Sequence, residues 1–386
     1  MPHWNGGTAS SGPRAWHRDR GTDIAMDGHE TAATRHTAGE HTGPPGLDMP
    51  ALQRYFDEHI AECRGRLRAD IVAGGRSNLT YRVTDGTTVW ALRRPPLGGL
   101  TPSAHDVGRE YRVMAALRDS GVAVPQTISL CTDPDVLGAP FSVVSWVDGT
   151  VLRSRDDLRG VLPGELAACA RAMVGQLARL HGLSYSAVGL SEFGRPQGYL
   201  SRQLSRWRRQ WDLTATEVPA ALDLLYQRLE AGIRPESEAT IVHGDYRLDN
   251  LIFATADLSD LRAVVDWELA TLGDPLADVG ILLAYCDPAV DPLLGRPAST
   301  APEFPSAQEL ARDYGQLSGR DLTDLPYYLA FAYFKIAVIS QGVYSRYVHG
   351  VTVGDGFAEA GQSVPLLLDA GLRVLNSLRA EVLLEP

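Results

Sequence analysis

The chain has 386 residues, 44% hydrophobic and 22% charged, enough to bury a sizeable core in two lobes. Its formal charge of −11 argues against a nucleic-acid binder built on net basicity. Cys63, Cys131, Cys169 and Cys286 are scattered without a C-x-x-C pair, so they read as core thiols of a reducing compartment rather than a disulfide framework or zinc site.

Residues 1–47 are rich in Gly, Thr, His and Ala and poor in large aliphatics. They cannot bury enough apolar surface to offset chain entropy, and we expect a disordered tail. Half of the ten histidines fall there (His3, His17, His29, His36, His41); their irregular spacing favours a floppy tail over the alternative of a metal-binding one, and Met26 and Met49 are alternative starts. The first 25 residues lack the apolar core of a secretory signal, so the expected location is cytoplasmic.

From Met49 the pattern becomes structured. MPALQRYFDEHI reads as a helix. IVAGGRSNLTYRVTDGTTVWALRR reads as strand, glycine turn, strand, Asp85-Gly86 turn, strand, a β-meander. In SAHDVGREYRVMAALRDSG, Ser103 and Asp106 resemble a capping box. Val107, Tyr111, Met114 and Leu117 make one apolar stripe, and Gly121 ends the helix. Two strands follow, the second within PFSVVSWVDGT (140–150). Beyond Gly149 helical periodicity dominates, near 165–182, 202–231, 274–286, 325–347 and 358–381, interrupted at 240–268 by short strands. YYLAFAYFKIAVISQGVY (327–344) carries Lys335 and Gln341 in its middle, which favours a buried helix over a membrane span. Strands first and helices after give an α+β chain, with a small β-rich N-lobe at 48–148 and a larger helical C-lobe at 149–386. The ligand belongs in the cleft between them.

IVHGDYRLDNLIF (241–253) interrupts an apolar stretch with His243, Asp245, Arg247, Asp249 and Asn250. If LIF pairs with AVV (263–265) as a hairpin, Asn250 and Asp266 meet at its open end, close to Asp245. Two carboxylates and a carboxamide converging there repel unless a cation sits between them, and hard oxygen donors of this kind suit Mg²⁺. Upstream, Gly74, Gly75, Ser77 and Asn78 form a turn that phosphate can approach closely. Arg93 on the third strand brings positive charge, and Glu110 on the next helix can pair with it. Glycine turn, strand cation, helix glutamate, H-x-D-x-x-x-x-N and strand-end aspartate follow the order of parts in kinase phosphoryl transfer. By those offsets Asp245 serves the acceptor hydroxyl, Arg247 the γ-phosphate and Asn250 the metal.

VHGDYRLDNLIF, AVVDWELATLGDPLADVG and GGRSNLTYRV resemble the aminoglycoside phosphotransferase family, which has a protein-kinase-like fold. The nearest branch is that of the kinase-like domain of acyl-CoA dehydrogenase 10/11 proteins. The resemblance covers about residues 49–380, including FKIAVISQGVYSRYV (334–348). It implies Asp245 as catalytic base or hydroxyl-orienting group, Asn250 and Asp266 as Mg²⁺ ligands, and Arg93 with Glu110 as the strand-cation and helix-glutamate pair. It further implies Ser145, Trp146 and Val147 as the hinge that receives the adenine, His243 as a loop brace, and Asp278 as a residue that caps and orients the loop. Arg93 departs from the lysine of many kinases but keeps the charge and adds bidentate geometry. The implied activity is ATP-dependent transfer to a hydroxyl of a small molecule, a hydroxyacyl-CoA-like metabolite or an antibiotic, with GTP as the alternative donor. Neither nucleic acid nor membrane is an expected partner.

Other readings stand beside these. Turn formation alone accounts for Ser77 and Asn78, and loop bracing for Arg247. The alternative to an enzyme is a nucleotide-binding pseudokinase; a serine hydrolase or P-loop NTPase is disfavoured because neither G-x-S-x-G nor G-x-x-x-x-G-K-[ST] occurs. Trp207 and Trp211 read as core, Tyr344 and Tyr347 as core or acceptor wall, Arg346 as a surface ion pair or acceptor contact, and the arginines of RQLSRWRRQW (202–211) as a solvated face.

Overall fold

Alternation in LTYRVT and VWALRR turns Tyr81, Val83, Trp90 and Leu92 to one face of a sheet, where all four are buried. The computed structural model describes residues 43–72, 78–96, 106–215, 217–235, 238–350 and 357–382. Helix α1 (Met49–His59), capped by Asp48, lays Leu52 and Phe56 on that face, with the Phe56 ring edge-on to Trp90 at 5.3 Å. The sheet comprises β1 (Arg68–Ile71), β2 (Leu79–Thr84), β3 (Val89–Arg94), β4 (Thr127–Cys131) and β5 (Phe141–Ser145). Its order is β1-β2-β3-β5-β4 with antiparallel pairing throughout. The β2–β3 turn closes where expected: Gly86 has φ +97°, and the Asp85 carboxylate accepts the N–H groups of Thr87 and Thr88 at 2.8 and 2.7 Å.

Helix α2 (Val107–Leu117) packs on β4 and β5, and the short α3 (Pro134–Leu137) joins those two strands. The cap of α2 is Asp106, which accepts the Arg109 N–H at 3.0 Å; Ser103 lies outside the described residues. Val113 is buried where Tyr111 was expected, because the helix turns Glu110 rather than Tyr111 inward. Residues 44–47, expected in the tail, pack on the sheet instead. Leu47 is buried, and the Tyr81 hydroxyl donates to the Pro45 carbonyl at 2.6 Å.

Past the sheet come α4 (Pro163–His181), α5 (Tyr199–Thr214) and α6 (Ala220–Ala231). The apolar run 202–231 is thus two helices, the second starting after Pro219. Strands β6 (Thr240–Val242) and β9 (Thr271–Gly273) pair, as do β7 (Leu251–Ala254) and β8 (Asp257–Val264), the expected hairpin. Then follow α7 (Pro275–Ala284), α8 (Asp291–Leu294), α9 (Ala307–Ser318), α10 (Leu325–Val348) and α11 (Ser363–Val382). The periodicity reading missed α9 because it buries only Leu310 and Tyr314, although its Ser306/Glu309 capping box was legible. Trp207 and Trp211 are core, whereas Tyr344 and Tyr347 are exposed; core packing is therefore wrong for both tyrosines. All four cysteines are free, Cys131 and Cys169 buried, Cys63 and Cys286 half-buried. Among the described residues no helix is long and apolar enough to cross a membrane.

All ten residues of α7 are buried, so the helix is apolar on every side except at Asp278. It lies close against α10: a Cβ on Gly280 would come within 2.5 Å of the Tyr328 carbonyl oxygen. Gly280→Ala should therefore force the helices apart and destabilise the fold by about 1–3 kcal/mol, read as a lower denaturation midpoint. An unchanged midpoint would refute the close packing.

Candidate active site

The loop after β6 is pinned before any side chain reaches solvent. His243 is fully buried, with Nε2 donating to the Val265 carbonyl at 3.0 Å. Nδ1 therefore accepts, and it takes the Asp245 N–H at 3.2 Å. Gly244 has φ +84°, and a Cβ there would lie 2.6 Å from the Leu269 carbonyl, so the turn requires glycine. Asp278 of α7, 1% exposed, accepts the His243 and Gly244 N–H groups at 2.6 and 2.8 Å and stands 3.3 Å from His181 Nε2. Burial alone would push its carboxyl up, but the His181 hydrogen bond and the charges and N–H groups facing it hold it below the usual carboxylate range. Lys335 of α10, also buried, donates to the Gly244 carbonyl and sits over the Trp207 ring at 5.3 Å. Burial lowers its pKa, opposed by the charges of Asp245 and Asp278.

This frame presents Asp245, Arg247 and Asn250 together. The Asn250 Nδ2 donates to the Asp245 carbonyl at 2.9 Å and lies 3.4 Å from Oδ2. The Arg247 guanidinium stands 3.5 Å from Asp245 Oδ2 and 3.2 Å from Asp249 Oδ2. Asp245 Oδ1 accepts the Tyr285 hydroxyl at 2.7 Å. Across the hairpin mouth the Asn250 carbonyl accepts the Val265 N–H at 2.9 Å, and Asp266 follows at once. Asp266 holds φ +68°, one of two non-glycine residues in the left-handed region among those described. Strain of that kind persists only where the surroundings fix it, and it often marks functional positions.

The sheet reaches the same point through Arg93. Its Nε lies 3.0 Å from Glu110 Oε2, and its NH2 is ion-paired with Asp266 Oδ1. Glu110 is 2% exposed and also accepts the Trp267 N–H at 3.2 Å. Burial pushes its carboxyl up to about 7; Arg93 pulls the other way, while Asp266 and Glu268 add to the rise. Arg109, one residue before Glu110, fixes α2 to the other lobe, donating to the carbonyls of Phe193 at 2.7 Å and Ala270 at 2.9 Å.

The interlobe linker is stitched to the same hairpin. Ser145 and Gln126 exchange hydrogen bonds at 2.8 and 2.9 Å, and the Trp146 N–H reaches the Val89 carbonyl at 3.3 Å. Val147 is half-buried, and Thr150 pairs with Phe253 of β7. A Cβ on Gly149 would lie 2.3 Å from the Phe253 carbonyl. Gly74, Gly75 and Ser77 lie outside the described residues. Asn78 is 2% exposed, and neither polar atom of its carboxamide has a hydrogen-bond partner among the described residues.

Arg93, Glu110, Asp245, Arg247, Asn250 and Asp266 thus form one network, while Ser145–Val147 join it through Thr150 and β7. Sequence reasoning missed His181, Arg109, Tyr285 and Lys335 as parts of it. Lys335 alone carried a signal, a cation inside an apolar helix. For a divalent cation the donors are hard oxygens: the Asn250 Nδ2 is committed to the loop, which leaves its Oδ1 as a donor, and the Asp266 carboxylate follows the residue whose N–H binds the Asn250 carbonyl. Among the described residues no group of three His, Cys, Asp or Glu could cage a metal. Two protein ligands completed by phosphate and water fit Mg²⁺.

The model of the phosphotransferase enzyme family matches residues 69–312. Acyl-CoA dehydrogenase family member 11 of Gallus gallus is 36% identical over 356 residues, 86% of this chain and 45% of its own length. Family member 10 of Mus musculus is 37% identical over 281 residues, covering 72% of this chain and 26% of its own. The chain therefore spans less than half the length of these curated relatives. Among solved structures, a putative aminoglycoside phosphotransferase from Ralstonia eutropha superposes with TM-score 0.72 at 32% identity, covering 86% of this chain and 98% of that one. The ternary complex of the aminoglycoside phosphotransferase APH(4)-Ia with ADP and hygromycin B gives TM-score 0.56 at 16% identity, covering 83% and 97%, which shows a shared kinase-like fold.

Asp278→Ala should orphan the two buried N–H groups of His243 and Gly244. At roughly 1–3 kcal/mol each, the midpoint of denaturant unfolding should fall sharply, whereas Asp260→Ala, at a half-buried surface ion pair, should leave it nearly in place. Equal midpoints for the two variants would refute the anchoring role.

Proposed function

The chain belongs to the phosphotransferase enzyme family, and we propose that it transfers the γ-phosphoryl group of ATP to a hydroxyl of a small molecule. The observation that carries this reading is the convergence of Asp245, Asn250 and a strained Asp266 with the Arg93–Glu110 pair of the sheet. In it, Asp245 accepts a hydrogen bond from the acceptor hydroxyl and aims its lone pair for in-line attack. Arg247 and Arg93 offset the negative charge that spreads over the transferred group. Asn250 and Asp266 would hold Mg²⁺, which when bound neutralises charge on the nucleotide phosphates. Asn78, whose buried carboxamide has no partner among the described residues, would serve the phosphate side with Gly74, Gly75 and Ser77, and Ser145–Val147 the adenine side.

ATP is the donor we favour, with GTP the alternative; ADP bound to APH(4)-Ia supports nucleotide binding by this fold. The acceptor we favour is a hydroxylated acyl-CoA-like metabolite, supported by likeness to the acyl-CoA dehydrogenase family members; a hydroxylated antibiotic is the second choice, supported by the hygromycin B complex. A module without turnover would need a missing group, and the Asp245, Asn250, Asp266 set is complete. The free thiols support a reducing, cytoplasmic setting.

Nucleotide consumption with Mg²⁺, screened across hydroxyacyl-CoAs, aminoglycosides, macrolides and nucleosides, should identify the acceptor, and chelation should stop it. Asp245→Asn should lower kcat by roughly 10²–10⁴-fold while ADP affinity and melting temperature stay near those of the parent. Undiminished turnover in that variant would overturn the mechanism.

A further inference from the structure

The geometry points to Tyr285 as a positioning residue that fixes which carboxylate oxygen of Asp245 faces the acceptor, an inference that rests on the kinase reading above. A buried tyrosine needs a partner for its hydroxyl, and a backbone carbonyl suffices. Tyr246 uses the Met173 carbonyl and Tyr327 the Leu229 carbonyl in that way. Tyr285 donates to a carboxylate, as Tyr328 and Tyr333 also do, and its acceptor is Asp245 Oδ1, at 2.7 Å. A hydrogen bond to an ionised acceptor is among the stronger ones. The contacts of Oδ2 are longer, 3.4 Å from Asn250 and 3.5 Å from Arg247, so Oδ2 is the oxygen left to receive a hydroxyl proton.

The donor is itself held rigidly. Tyr285 caps α7 through its N–H to the Ile281 carbonyl at 3.1 Å, and its own carbonyl accepts the Ser299 hydroxyl at 2.6 Å. The ring is 4% exposed and faces the Arg247 guanidinium at 5.3 Å. Burial, then the charge of Asp245, pushes the phenol well above its ordinary range, so it stays a donor at any working pH.

Asp278 and Tyr285 are seven residues apart, two turns, and so share one face of the helix. Asp278 takes the backbone of the loop while Tyr285 takes its carboxylate. Rotation of a carboxylate about its last torsion is otherwise broad, and an aspartate free to turn would present a usable lone pair only part of the time.

The test is Tyr285→Phe in the full chain, assayed with MgATP plus whichever acceptor the screen returns, and with MgATP alone, where water is the acceptor. We expect kcat to fall on the order of 100-fold, with KM for ATP, ADP affinity and melting temperature close to the parent. In an Asp245→Asn background the same change should produce no further loss. Tyr327→Phe, which removes a buried hydroxyl bond to a carbonyl of α6, should keep the parental kcat. A Tyr285→Phe kcat within about twofold of the parent overturns the role, as does a loss that adds in full to that of Asp245→Asn. Loss of ADP affinity in step with kcat would make Tyr285 merely structural and also overturn it. A parent chain that neither transfers nor hydrolyses MgATP sinks the kinase reading and this role with it.

Discussion

A carboxylate with almost no contact with solvent holds the site in shape. Asp278 is the one charged group on a helix that is otherwise apolar on all sides, and it stays ionised because two backbone N–H groups and His181 face it. Burying a charge is unfavourable unless hydrogen bonds replace its water, and here each bond restrains the peptide that supplies it. His243 and Gly244 are thereby fixed, and the left-handed turn at Gly244 delivers Asp245 to the surface with little freedom. Lys335 completes the arrangement from α10 by taking the Gly244 carbonyl, so both polar ends of that residue are bound to helices rather than to water.

The second joint works by charge surplus. Glu110, Asp266 and Glu268 gather around the single guanidinium of Arg93; burial is the main cause of the rise of the Glu110 carboxyl to about 7, and Asp266 and Glu268 add to it while Arg93 opposes it. A region so poised favours further positive charge. In the kinase reading that charge would be supplied by Mg²⁺, which Asn250 and Asp266 would hold. The left-handed backbone of Asp266 and the N–H bond from Trp267 to Glu110 tie the acid to both lobes, so the position of α2 and the orientation of Asp266 cannot vary independently.

Local spacing made much of this readable beforehand. The offsets from His243 to Asn250 are set by one loop and its flanking strands, so pattern alone located the hairpin and its open end. The Asp85-Gly86 turn was equally local. What the sequence hid was contact between distant segments. Tyr285 lies 40 residues from Asp245, Arg109 reaches carbonyls 84 and 161 residues away, and nothing in their surroundings distinguishes them from packing residues. The cap of α2 was misread because two oxygens, Ser103 and Asp106, stood at compatible spacings. Helix α9 escaped because its buried stripe is only two residues wide.

The origins of these contacts also divide the labour between lobes. Every group that restrains the Asp245 loop comes from the helical part: His181 on α4, Asp278 and Tyr285 at α7, Lys335 on α10 over Trp207 of α5. From the sheet and α2, Arg93 and Glu110 reach only Asp266 and the turn after it. In the kinase reading, acceptor orientation would therefore be a property of one lobe, while the phosphate side would depend on the two lobes keeping their relation. Arg109 maintains that relation from α2, and the Thr150–Phe253 pairing anchors the linker to the hairpin. On the proposed function, a chain built this way could alter the walls around its acceptor without disturbing Asp245.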